Sequence, residues 1–391
     1  MTDGPTVAPA PASRRGTGSA VITGAAAASA YGRGTEALMS GVLSGEPAFG
    51  PVERFDVSDR RVRVAAAAPG LPDLRTEVTH AVREACDDAG LPASDRARSP
   101  LFLAIHGDPA IARARGAEVP GLGPGAFTAA VAGGCGLAEQ ATRCYMSACV
   151  AASTAIADAA AIIARGRADR VVVAGGYLVD RDQFALFDAG RVLADDGQVR
   201  PFSAGRRGLL LGDGVGAVVL ESRESARARR APPLARLAGW GRTGDAHHPV
   251  QPHPEGHGMA RAVAAALQRA GIAAGDLGYI NAHGSGTRQS DPAEANALRL
   301  ALGDAAGRVP VSSTKSLHGQ SLEASGVLEL IVTLLAARKG MLPVNAGFLG
   351  PDDGCRLSLV LGEALPATVE YAMSLNAAFG GANTALVIGL P

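Results

Sequence analysis

The segment ATRCYMSACVAASTAIADAAAIIARG, residues 141–166, joins a strand-like run to an alanine-rich run that ends on glycine. We predict a strand over 141–148 and a helix over 150–166, because glycine commonly terminates helices. Similar strand-like runs lie at 101–107, 170–176 and 216–222, with helical stretches between them. Strands that alternate with helices indicate an α/β fold.

The same order of elements extends outward in both directions. A strand begins at Ser19 and is followed by a turn and a helix for which Thr35 is the predicted N-cap. In the second half we predict a helix over 258–271, a strand over 278–283 and further helices. Late strands are predicted at LSLVLG and TALVIGL. The predicted organisation is a disordered tail, an N-terminal half that carries Cys149, and a C-terminal half that carries His283 and Lys315: residues 1–17, 18–225 and 236–391.

Composition excludes several classes of protein. The 391 residues include 37 basic and 37 acidic side chains, so the formal net charge is zero. We therefore expect neither nucleic acid nor an anionic membrane as a partner. No apolar run reaches the roughly 18–20 residues of a membrane span. The N-terminus lacks the apolar segment of a secretory signal, and the five cysteines fit neither a disulfide scaffold nor a zinc site. A cytoplasmic location is the expectation.

Cys149 is the first candidate for chemistry. It lies at the predicted junction of strand and helix, where the positive end of the helix dipole lowers the pKa of a thiol. Small neighbours such as Ser147, Ala148 and Ala151 leave room for a long ligand. A nucleophile and an inert buried cysteine are both compatible with this position.

His283 and Lys315 are the next candidates. His283 follows a strand and precedes the glycine-rich run GSGT, where an imidazole can face a cavity or be satisfied by backbone groups. Lys315 and Lys339 are the only lysines among 37 basic residues. A surface position is the default for a lysine, but an ammonium among small polar residues at 315 suggests a specific role.

Two further segments have weaker signals. AAFGGANT, residues 377–384, places small residues around Phe379, and such a turn can direct backbone N–H groups inward. The four histidines of DAHHPVQPHPEGH are unevenly spaced and interrupted by prolines, so they match no zinc pattern. No metal site is predicted.

Taken together, these segments resemble the β-ketoacyl synthase family, the condensing enzymes of fatty acid and polyketide assembly. The resemblance spans nearly the whole chain and follows motifs in the family's order: SACVAAS, RPFSAGRRGLLLGDGVGAVVLE, NAHGSGTRQSDPAEANAL, VSSTKSLHGQSLEASGVLEL and NAAFGGANTALV. It implies the thiolase-like α/β fold, in which a duplicated unit forms five α-β-α-β-α layers, and a dimer.

The resemblance also implies roles for individual residues. Cys149 matches the nucleophile, His283 the first active-site histidine and Lys315 the lysine of the family's Lys-Ser turn. Phe379 matches the gating phenylalanine, whose backbone N–H joins that of Cys149 in an oxyanion hole. Glu329 matches a glutamate that we expect to orient Lys315.

The chain departs from the family pattern at the second histidine. That position follows a glycine in the lysine turn and is Gln320 here, so the usual Cys-His-His trio becomes Cys149, His283 and Gln320. His318 lies two positions earlier and is a possible substitute. Asp213 stands where glutamate is usual, and Leu209 where phenylalanine is common.

The resemblance implies acyl loading onto Cys149 from a carrier protein, followed by condensation with a malonyl-type extender. An amide at residue 320 still offers an N–H donor, although it cannot act as an acid or base. Two alternatives remain: acyl transfer or cyclisation without decarboxylation, and a non-catalytic partner like a chain-length factor. No cofactor is expected, since phosphopantetheine arrives on the carrier. The expected partners are an acyl carrier protein and a second copy or a second ketosynthase-like subunit. Arg206 and Arg207 are candidate carrier contacts, but ordinary surface arginines are the plainer interpretation and the one we favour.

Overall fold

The computed structural model describes residues 20–70, 73–113 and 121–391, so the predicted tail at 1–17 lies outside the described residues. The strands, numbered β1 to β15 in chain order, are Ala20–Ser29, Gly32–Arg33, Gly50–Pro51, Val64–Ala65, Leu101–Ala104, Arg143–Tyr145, Arg170–Tyr177, Gly214–Ser222, Ala235–Gly244, Leu277–Asn281, Val311–Ser312, Met341–Leu342, Leu365–Pro366, Tyr371–Ala378 and Ala382–Gly389.

Helices occupy much of the remaining chain. Numbered α1 to α12, they are Thr35–Ser44, Leu74–Asp88, Ala93–Arg96, Pro109–Arg113, Pro124–Gly134, Ala151–Ala164, Arg181–Ala189, Arg223–Ala228, His257–Ala270, Ser290–Leu302, Lys315–His318 and Ser325–Lys339. Short 3₁₀ turns at Ala148–Val150 and Leu322–Ala324 flank the functional region. None of the described helices has the length and apolar character that a membrane crossing requires.

One large sheet contains the same five-strand pattern twice. Its order is β11-β10-β14-β15-β9-β1-β8-β7-β5-β6. From the centre outward, β1-β8-β7 and β9-β15-β14 pair antiparallel. The outer strands of each set pair parallel, as β7-β5-β6 and β14-β10-β11. The two sets meet where β1 pairs antiparallel with β9.

Helices cover and separate the two strand sets. The inner helices α6 and α12 pack against each other and against strands of both sets. On the outer faces, α2 packs on β1 and β8, and α9 packs on β9 and β15. The layers therefore run α-β-α-β-α, which confirms the predicted α/β fold with a duplicated five-layer architecture.

The inner layer is tightly packed because its residues are small or wholly apolar. Most of α12 is buried, from Ser325 to Ala337. Where α12 crosses α6, a Cβ added at Gly326 would lie 2.4 Å from the backbone nitrogen of Ser153, which is closer than real atoms approach. Glycine at this crossing allows the two helices to approach and places their N-terminal turns side by side.

Some predicted elements were wrong in extent. The strand predicted over 141–148 is only β6, Arg143–Tyr145. LSLVLG forms no strand in the structure, because Leu359 donates its N–H to the nearby carbonyl of Leu357 and the segment makes only a single bridge to Val311. Gly34, not Thr35, occupies the N-cap of α1. Sequence analysis also missed β14 and α2.

The contact of α9 with β9 gives a test of packing. A Cβ at Gly241 would lie 1.8 Å from the carbonyl oxygen of Ala262 on α9, so the helix must shift to admit it. We expect Gly241→Ala to lower the free energy of unfolding by about 1–3 kcal/mol, the usual cost of overpacking. Gly275→Ala is the matched control, since nothing lies within 4 Å of its added Cβ. Urea unfolding measures both; an equal effect of the two variants would contradict the packing assignment.

Candidate active site

Cys149 lies at the entrance to α6. After β6 ends at Tyr145, Ala148 adopts φ of 51°, a left-handed conformation that costs a non-glycine residue about 1–2 kcal/mol. Cys149 follows within a 3₁₀ turn, and α6 begins at Ala151. The strained turn presents the thiol at the N-terminal end of a buried helix. Such strain is frequent at functional sites.

The Cys149 sulfur is held by an amide. Gln320 Nε2 donates a hydrogen bond to Cys149 Sγ at 3.0 Å, and Ser325 Oγ donates to Gln320 Oε1 at 3.1 Å. The second bond fixes which end of the amide faces the sulfur. Gln320, at the position of the family's second histidine, thus contacts the candidate nucleophile directly.

The pKa of Cys149 differs from the sequence-based expectation. Burial of the thiol, together with the negative charge of Glu323, raises its pKa to about 12, although Lys315 and the hydrogen bond from Gln320 oppose this shift. We had expected the helix terminus to lower it. The sulfur is therefore a protonated thiol at neutral pH, and a reaction at Cys149 requires a proton acceptor.

His283 lies in a turn fixed by two acidic side chains of α10. Glu294 accepts the backbone N–H groups of His283 and Gly284, each at 2.7 Å, and Asp291 accepts those of Phe202 and Gly286. Burial raises the pKa of Glu294 to about 8 and that of Asp291 to about 6. These bonds set the position of the imidazole.

The His283 imidazole is neutral. Burial, followed by the nearby charge of Lys315, lowers its pKa well below the ordinary value. Its Nδ1 atom is buried and has no hydrogen-bond partner in the structure. A neutral imidazole carries one N–H donor and one acceptor nitrogen, so it can donate a hydrogen bond or accept a proton.

Lys315 forms a buried ion pair and is not a surface residue. Its side chain is 1% exposed, and Nζ lies 2.5 Å from Oε1 of Glu329. Asn376 Nδ2 donates to the other carboxylate oxygen at 2.7 Å. Burial raises the pKa of Glu329, while Lys315 opposes the shift. The pair therefore joins the turn at α11 to α12 and β14, and Glu329 contacts Lys315 as expected.

His318 lies outside the cavity that contains Cys149 and Gln320. It is fully buried, and its Nε2 forms a 3.0 Å hydrogen bond with Thr314 Oγ1. Burial lowers its pKa to about 3, so it remains uncharged. The residues that line the cavity beside Cys149 include Gln320 but not His318. The geometry gives no support to His318 as the substitute histidine.

A cavity of about 500 Å³ leads from the surface to the sulfur. It brings together Cys149, His283, Gln320 and Phe379. The Phe379 ring is 47% exposed and stacks on Phe187 with ring centres 6.1 Å apart. Both aromatic rings line the cavity that contains the thiol.

Other sequence candidates have structural roles. Asp213 accepts hydrogen bonds from both terminal nitrogens of Arg54 and from the backbone N–H groups of Ala68 and Val179, so it ties these segments together. Arg206 was wrongly suggested as a carrier contact: it is only 9% exposed and pairs with Asp352. Arg207 is exposed and pairs with Asp195. Among the described residues, no group of histidines, cysteines or carboxylates is arranged to hold a metal ion.

Sequence analysis missed Glu323 and His106. Glu323 is buried in the 3₁₀ turn that packs against the Cys149 turn, and its Oε1 lies 3.0 Å from His106 Nδ1. An acidic residue in the otherwise small and apolar run SLEASG was the available signal.

The duplicated layers, with a cysteine at the entrance to an inner helix and a cavity that leads to it, define the chain as thiolase-like. Residues 126–226 match the N-terminal domain of β-ketoacyl synthases, and residues 234–349 match the C-terminal domain. A 3-oxoacyl-[acyl-carrier-protein] synthase 2 of Coxiella burnetii is 33% identical over 94% of this chain and 97% of its own length. The chain belongs to the β-ketoacyl synthase family.

Two further comparisons agree with membership of the β-ketoacyl synthase family. The synthase 2 of Staphylococcus aureus is 39% identical over 62% of this chain, and the match spans only 61% of that relative. The solved structure titled "The ishigamide ketosynthase/chain length factor" is 28% identical, with a TM-score of 0.88, and covers 96% of this chain and 99% of its own. This neighbour confirms the fold.

Proposed function

We propose that this protein is a carrier-dependent condensing enzyme of fatty acid or polyketide synthesis that uses Cys149, His283 and Gln320. The observation that carries the proposal is the convergence of these three side chains on one cavity, with the Gln320 amide bonded to the Cys149 sulfur. Family membership supplies the reaction class.

In the first half-reaction, the Cys149 sulfur attacks the carbonyl carbon of an acyl thioester. The backbone N–H groups of Cys149 and Phe379 stabilise the tetrahedral oxyanion, and the carrier's thiol leaves. This step leaves the acyl chain on the enzyme and needs no second histidine.

In the second half-reaction, a malonyl-type thioester loses carbon dioxide and its enolate attacks the acyl carbon. The enolate oxygen needs hydrogen-bond donors, which His283 and the Gln320 amide supply. Loss of one such donor costs about 10²–10³ in rate. Lys315 does not line the cavity. Burial, with the charge of Lys315 as the smaller cause, keeps His283 neutral, and Glu329 balances that charge.

The surface around the opening supports an acidic carrier protein as partner. Arg61, Arg191, Arg207 and Arg288 line the cavity together with Asp195 and Asp245, so arginines outnumber carboxylates there and can bind phosphate or carboxylate groups. The curated relatives are named as acyl-carrier-protein synthases, which agrees with a partner of this kind.

A single-turnover assay tests the function. Purified protein is mixed with an acyl carrier protein charged with an acyl group, and intact mass spectrometry follows the adduct on Cys149. Malonyl carrier is then added and carbon dioxide release is measured. We expect loading followed by release, and we expect Gln320→Leu to load but to release carbon dioxide about 10²–10³ times more slowly.

The outcomes separate the alternatives. Loading without carbon dioxide release from the wild-type protein contradicts condensation and favours transfer or cyclisation. No loading, with a second ketosynthase-like subunit retained during purification, favours a chain-length-factor-like role. Ser325→Ala is a milder companion to Gln320→Leu, because it removes only the bond that orients the amide.

A further inference from the structure

Glu323 is a buried acidic residue beside the reactive thiol that the proposed function does not use. It is 2% exposed, and its turn, Leu322–Ala324, packs against the turn Ala148–Val150 that contains Cys149. Leu322 and Ala324 belong to an apolar cluster against which the partly buried Cys149 packs. The two turns therefore bring the Glu323 carboxylate close enough for its charge to act on the thiol.

The two oxygens of Glu323 have different environments. Oε1 is bonded to His106 Nδ1 at 3.0 Å, whereas Oε2 is buried and has no hydrogen-bond partner. A buried carboxylate oxygen without a partner is costly, and a proton on that oxygen would relieve the cost. Glu323 therefore has one oxygen that is held and one that is free to accept a proton.

His106 connects this carboxylate to the surface. Its side chain is half exposed, and its Nε2 lies 2.7 Å from Gln183 Nε2. Because the amide nitrogen donates, Nε2 accepts and Nδ1 carries the hydrogen that is donated to Glu323. The bond to Glu323 also raises the pKa of His106. His106 thus holds the carboxylate in one orientation.

The charge of the site favours a carboxylate as the proton acceptor. Moving a proton from Cys149 to neutral His283 would create a new cation and a new anion in a site that already contains the Lys315–Glu329 ion pair and the Glu323 carboxylate. Moving it to Glu323 transfers one negative charge from oxygen to sulfur and creates no new charge. Separating new charges in a poorly solvated site costs more free energy than moving an existing charge, so transfer to Glu323 is favoured over transfer to His283.

We infer that Glu323 is the proton acceptor for Cys149 during acyl loading, with His106 as its positioning residue. The inference rests on the proposed function. The S–H bond of Cys149 breaks and an O–H bond forms at Glu323 Oε2, through one bridging water or a small side-chain rotation. The sulfur bonds to the thioester carbon, the carrier's C–S bond breaks, and the departing thiolate takes the proton back from Glu323.

Other titratable groups lie near Glu323, His106 and Cys149, and their charges contribute to the pH dependence of acyl loading. Tyr177 on β7 and Asp180 at the start of α7 face Glu323 and His106, respectively. The charge of Lys315 lowers the pKa of Cys149, and the charge of Glu329 raises it. Burial keeps the Tyr177 hydroxyl protonated, since its pKa is raised well above the ordinary value. Tyr177 therefore does not compete with Glu323 as the proton acceptor.

The test compares two reactions of the same sulfur in the full-length protein. We expect Glu323→Gln to slow acyl loading at pH 7 by at least about 100-fold, the lower range for loss of a general base. The deficit should shrink as pH rises toward the thiol pKa, because hydroxide then removes the proton. Alkylation by iodoacetamide at pH 8 should instead become about three- to tenfold faster. Removing the negative charge of Glu323 lowers the thiol pKa, because that charge raises it in the wild-type protein.

Slower loading together with faster alkylation identifies Glu323 as the proton acceptor. If loading and alkylation both become faster, Glu323 only repels the thiolate, and the inference is overturned. If Glu323→Gln loads as fast as the wild type, it is also overturned. A wild-type protein that alkylates at Cys149 but never loads contradicts the proposed function instead.

Matched variants control for folding. Glu77 is a buried carboxylate on the outer helix α2 and pairs with Arg33. In the Glu77→Gln variant, both acyl loading and alkylation should keep their wild-type rates. His106→Leu should slow loading, whereas His106→Asn, which keeps an N–H donor, should recover part of the rate. Recovery by a donor is not expected if His106 merely fills space.

Discussion

Replacing Cys149 by alanine is expected to abolish acyl loading and to slow condensation by more than about 10⁴-fold. Loss of a catalytic nucleophile has effects of this size, because the residual rate depends only on binding and on oxyanion stabilisation. The structure offers no second sulfur at the cavity floor: of the described residues that line it, Cys149 is the only cysteine. Intact mass spectrometry after incubation with an acyl carrier measures the effect directly.

Cys144→Ala is the control for this variant. Cys144 is a partly buried thiol on the adjacent strand β6, and it does not line the cavity. We expect this variant to load at the wild-type rate. An acyl adduct on the Cys149→Ala protein, or loss of loading in the Cys144→Ala protein, would place the nucleophile elsewhere.

Replacing Lys315 by methionine is expected to lower the free energy of unfolding by about 3–5 kcal/mol. The substitution leaves the Glu329 carboxylate as an uncompensated charge in a fully buried position, which is the costly way to break a buried ion pair. Guanidinium unfolding at pH 7 measures the loss. The double variant Lys315→Met/Glu329→Gln should recover most of it, because neither charge remains.

The only other lysine in the chain provides the control. Lys339 pairs with Glu36 at 3.1 Å on the surface, where both side chains are substantially exposed. Exposed pairs contribute little, so Lys339→Met should change stability by less than about 1 kcal/mol. If the double variant at 315 and 329 is as unstable as Lys315→Met alone, the cost comes from packing and not from the unpaired charge.

The fold was largely predictable because its strands and helices have strong local signals. The runs at 170–176 and 216–222 are β7 and β8 almost to the residue, and the helix expected over 258–271 is α9. The strand β14 was missed because its sequence, YAMSLNAA, mixes large apolar residues with alanine, serine and asparagine and contains no β-branched residue. Pairing with β10 and β15 determines its conformation. Such pairing depends on distant segments, so local sequence does not reveal it.

The residues of the site were predictable from the sequence, but the pKa shifts of their side chains were not. The motifs indicated Cys149, His283, Gln320 and Phe379, and the structure brings these residues to one cavity. The raised pKa of the thiol was not foreseen, since it depends on burial and on the charge of Glu323. Both depend on how two turns far apart in the chain pack together. Proximity of that kind requires the tertiary structure.

The central position of β1 has a consequence for biosynthesis. This first described strand pairs with β8, from Ala20 opposite Ser222 onward, and with β9 just after it. At translation rates of about 5–20 residues per second, β1 waits on the order of 10–40 s for its partners to leave the ribosome. During that interval only the short strand β2 pairs with the end of β1, so most of both edges of β1 is open to other strands. The nascent chain therefore exposes unpaired strand edges until the middle of the protein has been made.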